Sequence, residues 1–469
     1  MHDPAKLQAV GSNAAHAVQT RHLWIHRRVE SLTFPWPSNP VYRRHISIDF
    51  TIPELDAVKE GVAPERYYVP LSLLRKWPPL LRLDCRNGAG EPIPLLTRQQ
   101  NGIVDSALLV ALAESALAGS DFSVDDVRDS LIELATSKDR REASRALLSV
   151  VPPPKLGDTT PLQEKLAEDR VFTEIAGGLR DNTLLWLRVE GKPGDREIVK
   201  FAYDIPMRGR VQAWSPAAFG LRSFRLRFET PHLGTSGSYH LLISAPAPLV
   251  VADSEVLIRE PLTPAGQPDQ ARIIGRCSAR ERECEEQVAT GPLAMYTETF
   301  ERDARFYVAG RRTGATGEAR VAVMVEKGGF VKGAAIGAAG TAALLTAFAA
   351  RLSEAVEETE ATVTMLLVVP ALLAYLLVRP NDHTLAAQML RGLRRVLFGV
   401  GLLPLLGAAA LVMAAGDASD LLCKTFVALA GAAWIATAIT TAGAALPRGR
   451  FARPFSLRPA PSQKAPMEQ

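Results

Sequence analysis

Residues 330–350 read FVKGAAIGAAGTAALLTAFAA, and three further apolar runs follow: ATVTMLLVVPALLAYLLV (361–378), VLFGVGLLPLLGAAALVMAA (396–415) and TFVALAGAAWIATAITTAGAAL (425–446). A helix needs about 20 apolar residues to cross the hydrocarbon of a bilayer. Each run is near that length. The block therefore predicts four transmembrane helices over 329–447, and everything before Phe330 reads as polar enough to be soluble.

Basic residues give the block a direction, because cytoplasmic connections carry an excess of Lys and Arg. Lys327 and Lys332 flank the start of the first run, Arg379, Arg391, Arg394 and Arg395 lie between the second and third, and Arg448, Arg450, Arg453, Arg458 and Lys464 follow the fourth. The other two connections are acidic, with Glu354, Glu357, Glu358 and Glu360 in one and Asp417 and Asp420 in the other. Only Arg351 and Lys424 fall on that side, where long side chains snorkel to the interface. The expectation is a multi-pass plasma-membrane protein with both termini and the polar region cytoplasmic, ending in a basic tail (448–469). The N-terminal MHDPAKLQAVGSNAAHAVQT agrees, since it lacks the basic and then apolar order of an export signal.

The first run is the least apolar. Gly333 and Gly337, four apart, fit close helix packing, in a bundle or between copies of the chain. A hairpin or interfacial helix is the alternative. The interiors of the runs offer threonines but no ionisable group, whereas ion-coupled carriers place charge or broken helices at mid-membrane. An anchoring bundle follows, with a neutral small-solute pore as the weaker option.

Upstream, the periodicity changes twice. Residues 1–20 are Ala-rich with little periodicity and read as a flexible N-terminus, a frayed tail or short helix. Residues 21–101 read as β-rich: in RRHISIDFTIP, Ile46, Ile48 and Phe50 alternate with His45, Ser47 and Asp49, and Asn87-Gly88 marks a hairpin. Residues 102–180 read as a helical subdomain. IVDSALLVALAESALAG stops at Gly119, Ser123 with Asp126 and Thr160 with Gln163 form capping-box patterns, and Pro161 suits a first helical position. Residues 181–328 return to short alternating segments between Gly/Pro turns, with 264–287 left as a polar loop or exposed helix. The fold class is therefore α+β: an antiparallel, sandwich- or barrel-like β-rich region with a helical insertion, followed by the four-helix bundle. One sheet system shared by early and late strands is preferred over two separate domains.

Chemistry-bearing patterns are few. The formal net charge of +4 is small for 469 residues and argues against a nucleic-acid partner. Arginines outnumber lysines 42 to 12, which reads as GC-rich coding bias. Cys85, Cys277, Cys284 and Cys423 match neither a disulfide framework nor a zinc set. His22 and His26 are four apart, but in an extended segment they stand about 13 Å apart. Tyr239 and His240 alternate across a strand. GTSGS (234–238) and GATGE (314–318) lie between strand segments and read as turns, not phosphate loops. DFSVDDVRD (121–129) lacks the Gly and closing Glu of a calcium loop. No residue is assigned as catalytic, cofactor-binding or metal-ligating.

RRHISIDFTIP, PIPLLTRQQN and ARFYVAG, followed by the four-run block, together resemble uncharacterised membrane proteins of high-GC Gram-positive bacteria. The resemblance implies no activity or residue role. The leading expectation is a membrane-tethered cytoplasmic binding, scaffolding or sensory module whose partners are the lipid bilayer and protein. A transporter or envelope-processing component is the second reading, and an enzyme with a site assembled only in the fold is the third.

Overall fold

The computed structural model describes residues 3–35, 41–55, 66–76, 80–152, 159–207, 215–230, 233, 236–261, 271–278, 283–288, 291–309, 316–326, 328–351, 359–377, 383–413 and 419–445. The basic tail expected at 448–469 lies outside them, as do most residues of the two acidic connections.

The chain opens with helices, not a flexible tail: α1 (Pro4–Asn13), α2 (Ala15–Gln19) and α3 (Arg21–Trp24). Asp3 caps α1, and Leu7, Ala14, Ala17 and Val18 are buried. The reason is a close helix contact that local periodicity does not reveal. Gly11 lies so near α4 (Arg98–Leu117) that a Cβ there would collide with the carbonyl oxygen of Val104. Only glycine lets the two backbones approach this far.

The strands are β1 (Ile25–Thr33), β2 (Val41–Thr51), β3 (Arg66–Arg75) and β4 (Leu81–Arg86), then β5 (Asn182–Glu190), β6 (Arg196–Pro206), β7 (Phe224–Thr230), β8 (Ser238–Ser244), β9 (Leu249–Pro261), β10 (Ala271–Ser278), β11 (Glu283–Val288), β12 (Gly291–Phe300), β13 (Asp303–Ala309) and β14 (Thr316–Val325). An eight-stranded sheet runs β11-β12-β13-β8-β1-β2-β6-β4, and all its neighbours are antiparallel except β1 and β8. That parallel pair joins the early and late β-rich segments in one sheet. The remaining strands form a four-stranded sheet, β10-β9-β14-β7, and a ribbon, β3-β5.

The long sheet is covered by different partners along its length. Over β2 and β6, Ile46, Ile48, Phe50, Val199 and Phe201 pack against Val69, Leu71, Leu185 and Leu187 of the ribbon. The ribbon's other face, with Tyr68, Leu184 and Trp186, packs on α4 and on α5 (Arg128–Thr136), α6 (Arg140–Val150), α7 (Pro161–Glu168) and α8 (Arg170–Asp181). Burial on both faces explains why YYVPLSLL and TLLWL read as continuous apolar runs. Over β8 and β13, Tyr239, Leu241, Ile243, Phe306 and Val308 pack against Phe228, Val256, Ile258 and Val321 of the four-stranded sheet.

Local details differ from the sequence reading in four places. The segment 264–287 holds β10 and β11 where a loop or helix was expected; polar residues are tolerated because both strands lie at sheet edges. Helix α4 starts at Arg98, earlier than expected, on a Thr97–Gln100 capping box. At Asn87-Gly88 the positive φ falls on Gly90 (89°), and the return arm makes isolated bridges, Pro92 with Arg86 and Leu95 with Leu187, in place of a paired strand. Ser123 caps a short 3-10 turn through the Asp125 amide, not a box with Asp126. The Thr160–Pro161–Gln163 start of α7 is as expected.

The C-terminal block contains α9 (Phe330–Ala350), α10 (Thr359–Leu377), α11 (Thr384–Met389), α12 (Arg391–Met413) and α13 (Ser419–Ala445). Among the described residues three helices are long and apolar enough to cross a membrane, not four: α9, α12 and the Asp420–Ala442 part of α13. The run 361–378 falls on α10, where the described apolar stretch is Glu360–Val369. The bundle interior is filled by Ala342, Leu345, Leu366, Ala408, Leu411, Phe426 and Ala433, while Ile336, Phe398, Leu406, Val412 and Ile435 face outward. On α9 the packed stripe is Ala334, Ala338, Thr341, Ala342 and Leu345, one position on from the glycines; Gly333 has open space beside it. Thr341, Thr346, Thr364 and Thr437 each donate to the carbonyl four residues earlier in their own helix, as short hydroxyl side chains do in membrane helices.

The two parts share one apolar core. Phe330, Val331, Ala334 and Ala338 of α9, Leu385 and Met389 of α11, and Leu393 and Leu397 of α12 belong to the same buried cluster as Phe228, Leu249, Val321 and Val325 of the sheets. Contact is tightest at Gly392, where a Cβ would sit 2.8 Å from the carbonyl oxygen of Ala218. Gly392→Ala is expected to cost about 1–3 kcal/mol by overpacking against backbone. Gly399→Ala, with nothing within 4 Å of the added carbon, should be near neutral. Thermal unfolding in detergent checks the pair, and equal losses would discount the Gly392 contact.

Candidate functional site

The inner face of β1 carries two charges where a strand usually buries apolar side chains. Arg28, Glu30 and Leu32 share that face by the two-residue period, and all three are buried. Register places Arg28 between Ile48 of β2 and Tyr239 of β8, and Leu32 opposite Arg44. Arg44 in turn is opposite Tyr203 of β6. The result is a polar layer crossing the long sheet at the line where its two covers meet.

Glu30, 0% exposed, is held from both sides. Arg28 Nε donates to Oε1 at 2.6 Å, Arg44 Nε donates to Oε2 at 2.7 Å, and Arg44 Nη2 reaches the same oxygen. The arginines then reach one group from each cover: Arg28 Nη1 donates to Ser72 Oγ of β3 at 3.2 Å, and Arg44 Nη2 donates to the Glu229 carbonyl of β7 at 3.1 Å. At the rim, Arg75 of β3 and the Glu229 side chain form an ion pair directly between the two covers. Burial and the adjacent Glu30 push the Tyr239 phenol well above its ordinary range. Tyr42 is pushed up to about 12, chiefly by burial and against the pull of Arg44. For Arg44, burial lowers the pKa, but Glu30 and the neighbouring tyrosines carry it well above the usual value.

What this arrangement can do chemically is limited by access. Both carboxylate oxygens of Glu30 are occupied and no substrate atom can approach them. A paired buried cluster of this kind serves registry more readily than catalysis. It ties the ribbon, the long sheet and the four-stranded sheet together at one place.

A second buried carboxylate lies between α4 and the ribbon. Asp105 accepts from Trp186 Nε1 at 2.8 Å, Thr183 Oγ1 at 2.8 Å and the Leu184 amide at 3.3 Å, and burial raises its pKa to about 6. Lys76, drawn down to about 8 by burial, donates to the carbonyls of Leu134, Ala135 and Leu179. These are the last turns of α5 and α8, where a cation also meets the favourable end of the helix dipole. Both groups lock helices in place.

The patterns weighed in the sequence are dispersed by the fold. His22 sits on α3, not in an extended segment, and His26 on β1, where its Nε2 is 2.7 Å from Thr51 Oγ1. Tyr239 is buried and His240 packs on Tyr307, their rings 4.7 Å apart. Cys277 and Cys284 belong to strands of different sheets. Among the described residues no three His, Cys, Asp or Glu side chains are grouped to hold a metal ion. The Arg28–Glu30–Arg44 layer escaped sequence reading, although HRRVESLTF carried a signal: polar residues at both parities of one strand. An open concave surface of about 500 Å³ lies at the start of α12, lined by Ala387, Arg391, Arg394, Arg395 and Phe398.

Comparisons with protein-family models, with curated proteins and with solved structures found no match.

Proposed function

We propose that the chain is a membrane-held cytoplasmic binding or sensory module in which the β-rich region and the helical bundle act as one body. The observation that carries this reading is the shared core, in which Val321 and Val325 of β14 and Phe330 and Ala334 of α9 belong to one buried cluster. A flexible tether would let the two parts move independently; a continuous core makes an event on the sheets felt by the helices. The filled bundle interior supports anchoring over carriage of a substrate, and the closed Arg28–Glu30–Arg44 layer supports binding over catalysis. Affinity purification of the full chain from detergent extracts, beside an unrelated membrane protein carrying the same tag, should recover a partner specific to the full chain. Repeated recovery of no such partner would sink the reading.

In this reading α10 supplies the fourth crossing. It runs 19 residues from Thr359 to Leu377, roughly 28 Å of helix at 1.5 Å per residue. Four crossings return the C-terminus to the side of the β-rich region, and the arginines opening α12 put that side in the cytoplasm. Reporter fusions after Glu326 and after Gln469 should both read cytoplasmic, whereas opposite readings would leave three crossings. The open face of α9 beside Gly333 would serve self-association, tested by the mass of the detergent-solubilised particle.

A further inference from the structure

The arginines opening α12 have a second consequence. Phe398 follows Arg391, Arg394 and Arg395 at seven, four and three residues, so all four project from one side of the helix. With Ala387 of α11 they line an open concave surface of about 500 Å³, and none of these five residues is acidic. Arg391 and Arg395 are exposed, while the Arg394 guanidinium lies 5.6 Å from the Phe330 ring centroid, a cation–π contact that ties it to the start of α9. Phe398 is 61% exposed, and exposed Leu402 and Leu406 continue the same face in steps of four.

The surface is therefore cationic at its rim and apolar along the helix below. A phospholipid presents the matching order, a phosphodiester and then acyl chains. Guanidinium groups pair with phosphate oxygens through paired N–H donors, and basic pockets at the ends of membrane helices suit anionic headgroups. A free anion would use the rim but leave Phe398 and the leucines uncovered.

We propose that this concave surface binds the phosphodiester headgroup of an anionic phospholipid, whose acyl chains lie along Phe398, Leu402 and Leu406. The site rests on α12 crossing a bilayer and does not depend on the binding-module reading. The test uses the full chain in neutral detergent, with binding of phosphatidylglycerol, phosphatidylcholine and inorganic phosphate followed by native mass spectrometry and thermal shift. Phosphatidylglycerol should bind at least about tenfold more tightly than phosphatidylcholine, and phosphate alone should not protect. The double variant Arg391→Gln/Arg395→Gln, which changes only exposed side chains, should weaken phosphatidylglycerol binding roughly 30-fold while still floating with phosphatidylcholine vesicles. Equal binding of the two lipids, unchanged binding by the variant, or protection by phosphate alone would each overturn the site. Failure of the unmodified chain to float removes the bilayer premise and the site with it.

Discussion

Glu30→Ala is expected to destabilise the protein by about 3–5 kcal/mol, because it leaves two guanidinium groups in the interior without their shared counter-charge. Arg28 and Arg44 are 2% and 6% exposed, so water cannot replace the carboxylate. Their other acceptors, the Ser72 hydroxyl and the Glu229 carbonyl, are neutral. The loss is a large share of a typical folding free energy of about 5–15 kcal/mol. It should be concentrated in β1, β2 and β8 and be visible as faster amide exchange there. Glu30→Gln keeps one acceptor and the shape, so an intermediate loss is expected. The revealing control is the triple change Arg28→Met, Glu30→Leu, Arg44→Met. Replacing a whole buried ion cluster by apolar side chains is often neutral or stabilising, and losing the arginine hydrogen bonds to Ser72 and Glu229 would cost about 1–3 kcal/mol each at most. The triple variant should therefore melt well above Glu30→Ala. If the two melt together, the cluster's charge balance is not what holds this junction.

That cluster also shows where sequence reading stops. The pattern in RRHISIDFTIP was readable because Ile46, Ile48 and Phe50 occupy one parity and His45, Ser47 and Asp49 the other, and the apolar three are buried, with Arg44 buried beside them on the same face. In HRRVESLTF neither parity is apolar, so no face can be chosen. The choice is made by Arg44, fourteen residues on, and by Tyr239, which reaches β1 through a parallel pairing more than 200 residues distant in the chain. The N-terminal helices were hidden for a similar reason, since Gly11 is meaningful only against Val104. The helical insertion was legible from local signals, its Thr160 cap and Gly119 stop, because capping is decided within a few residues.

In the C-terminal block, three of the four apolar runs lie on helices long and apolar enough to cross a membrane, but the helix face that packs was not legible. The glycines of GAAIGAAG drew attention, while the packed stripe runs through the alanines beside them. Small residues of both kinds permit close approach, so their spacing alone does not choose a face. In the sequence the arginines before the third run speak to orientation alone. Their concave surface exists because α11 runs into α12 through Leu390 and brings Ala387 alongside them, which no spacing rule anticipates.

Asp105 gives the second large effect, and its size depends on pH. Asp105→Ala strips acceptors from Trp186 Nε1, Thr183 Oγ1 and the Leu184 amide. Buried donors without partners cost about 1–3 kcal/mol each. Relief of the buried carboxylate's desolvation offsets part of that, so a net loss of about 2–4 kcal/mol is expected. Burial raises the Asp105 pKa from the ordinary aspartate value of 3.8 to about 6 in the folded protein. The native state therefore holds a proton between those values that the unfolded chain releases, and stability falls as pH rises across the window. The contribution is full below about 3.8, is lost as pH climbs toward about 6, and is flat above. Its size is about 3 kcal/mol at 1.36 kcal/mol per unit. Asp105→Asn cannot titrate and still offers Trp186 one acceptor, so it serves as the reference. Plotted against pH, the stability of the unmodified protein minus that of Asp105→Asn should decline between about pH 4 and 6. A level difference across that range would mean that Asp105 is ionised at no cost in the fold, and that its three donors and nearby Lys76 outweigh its burial.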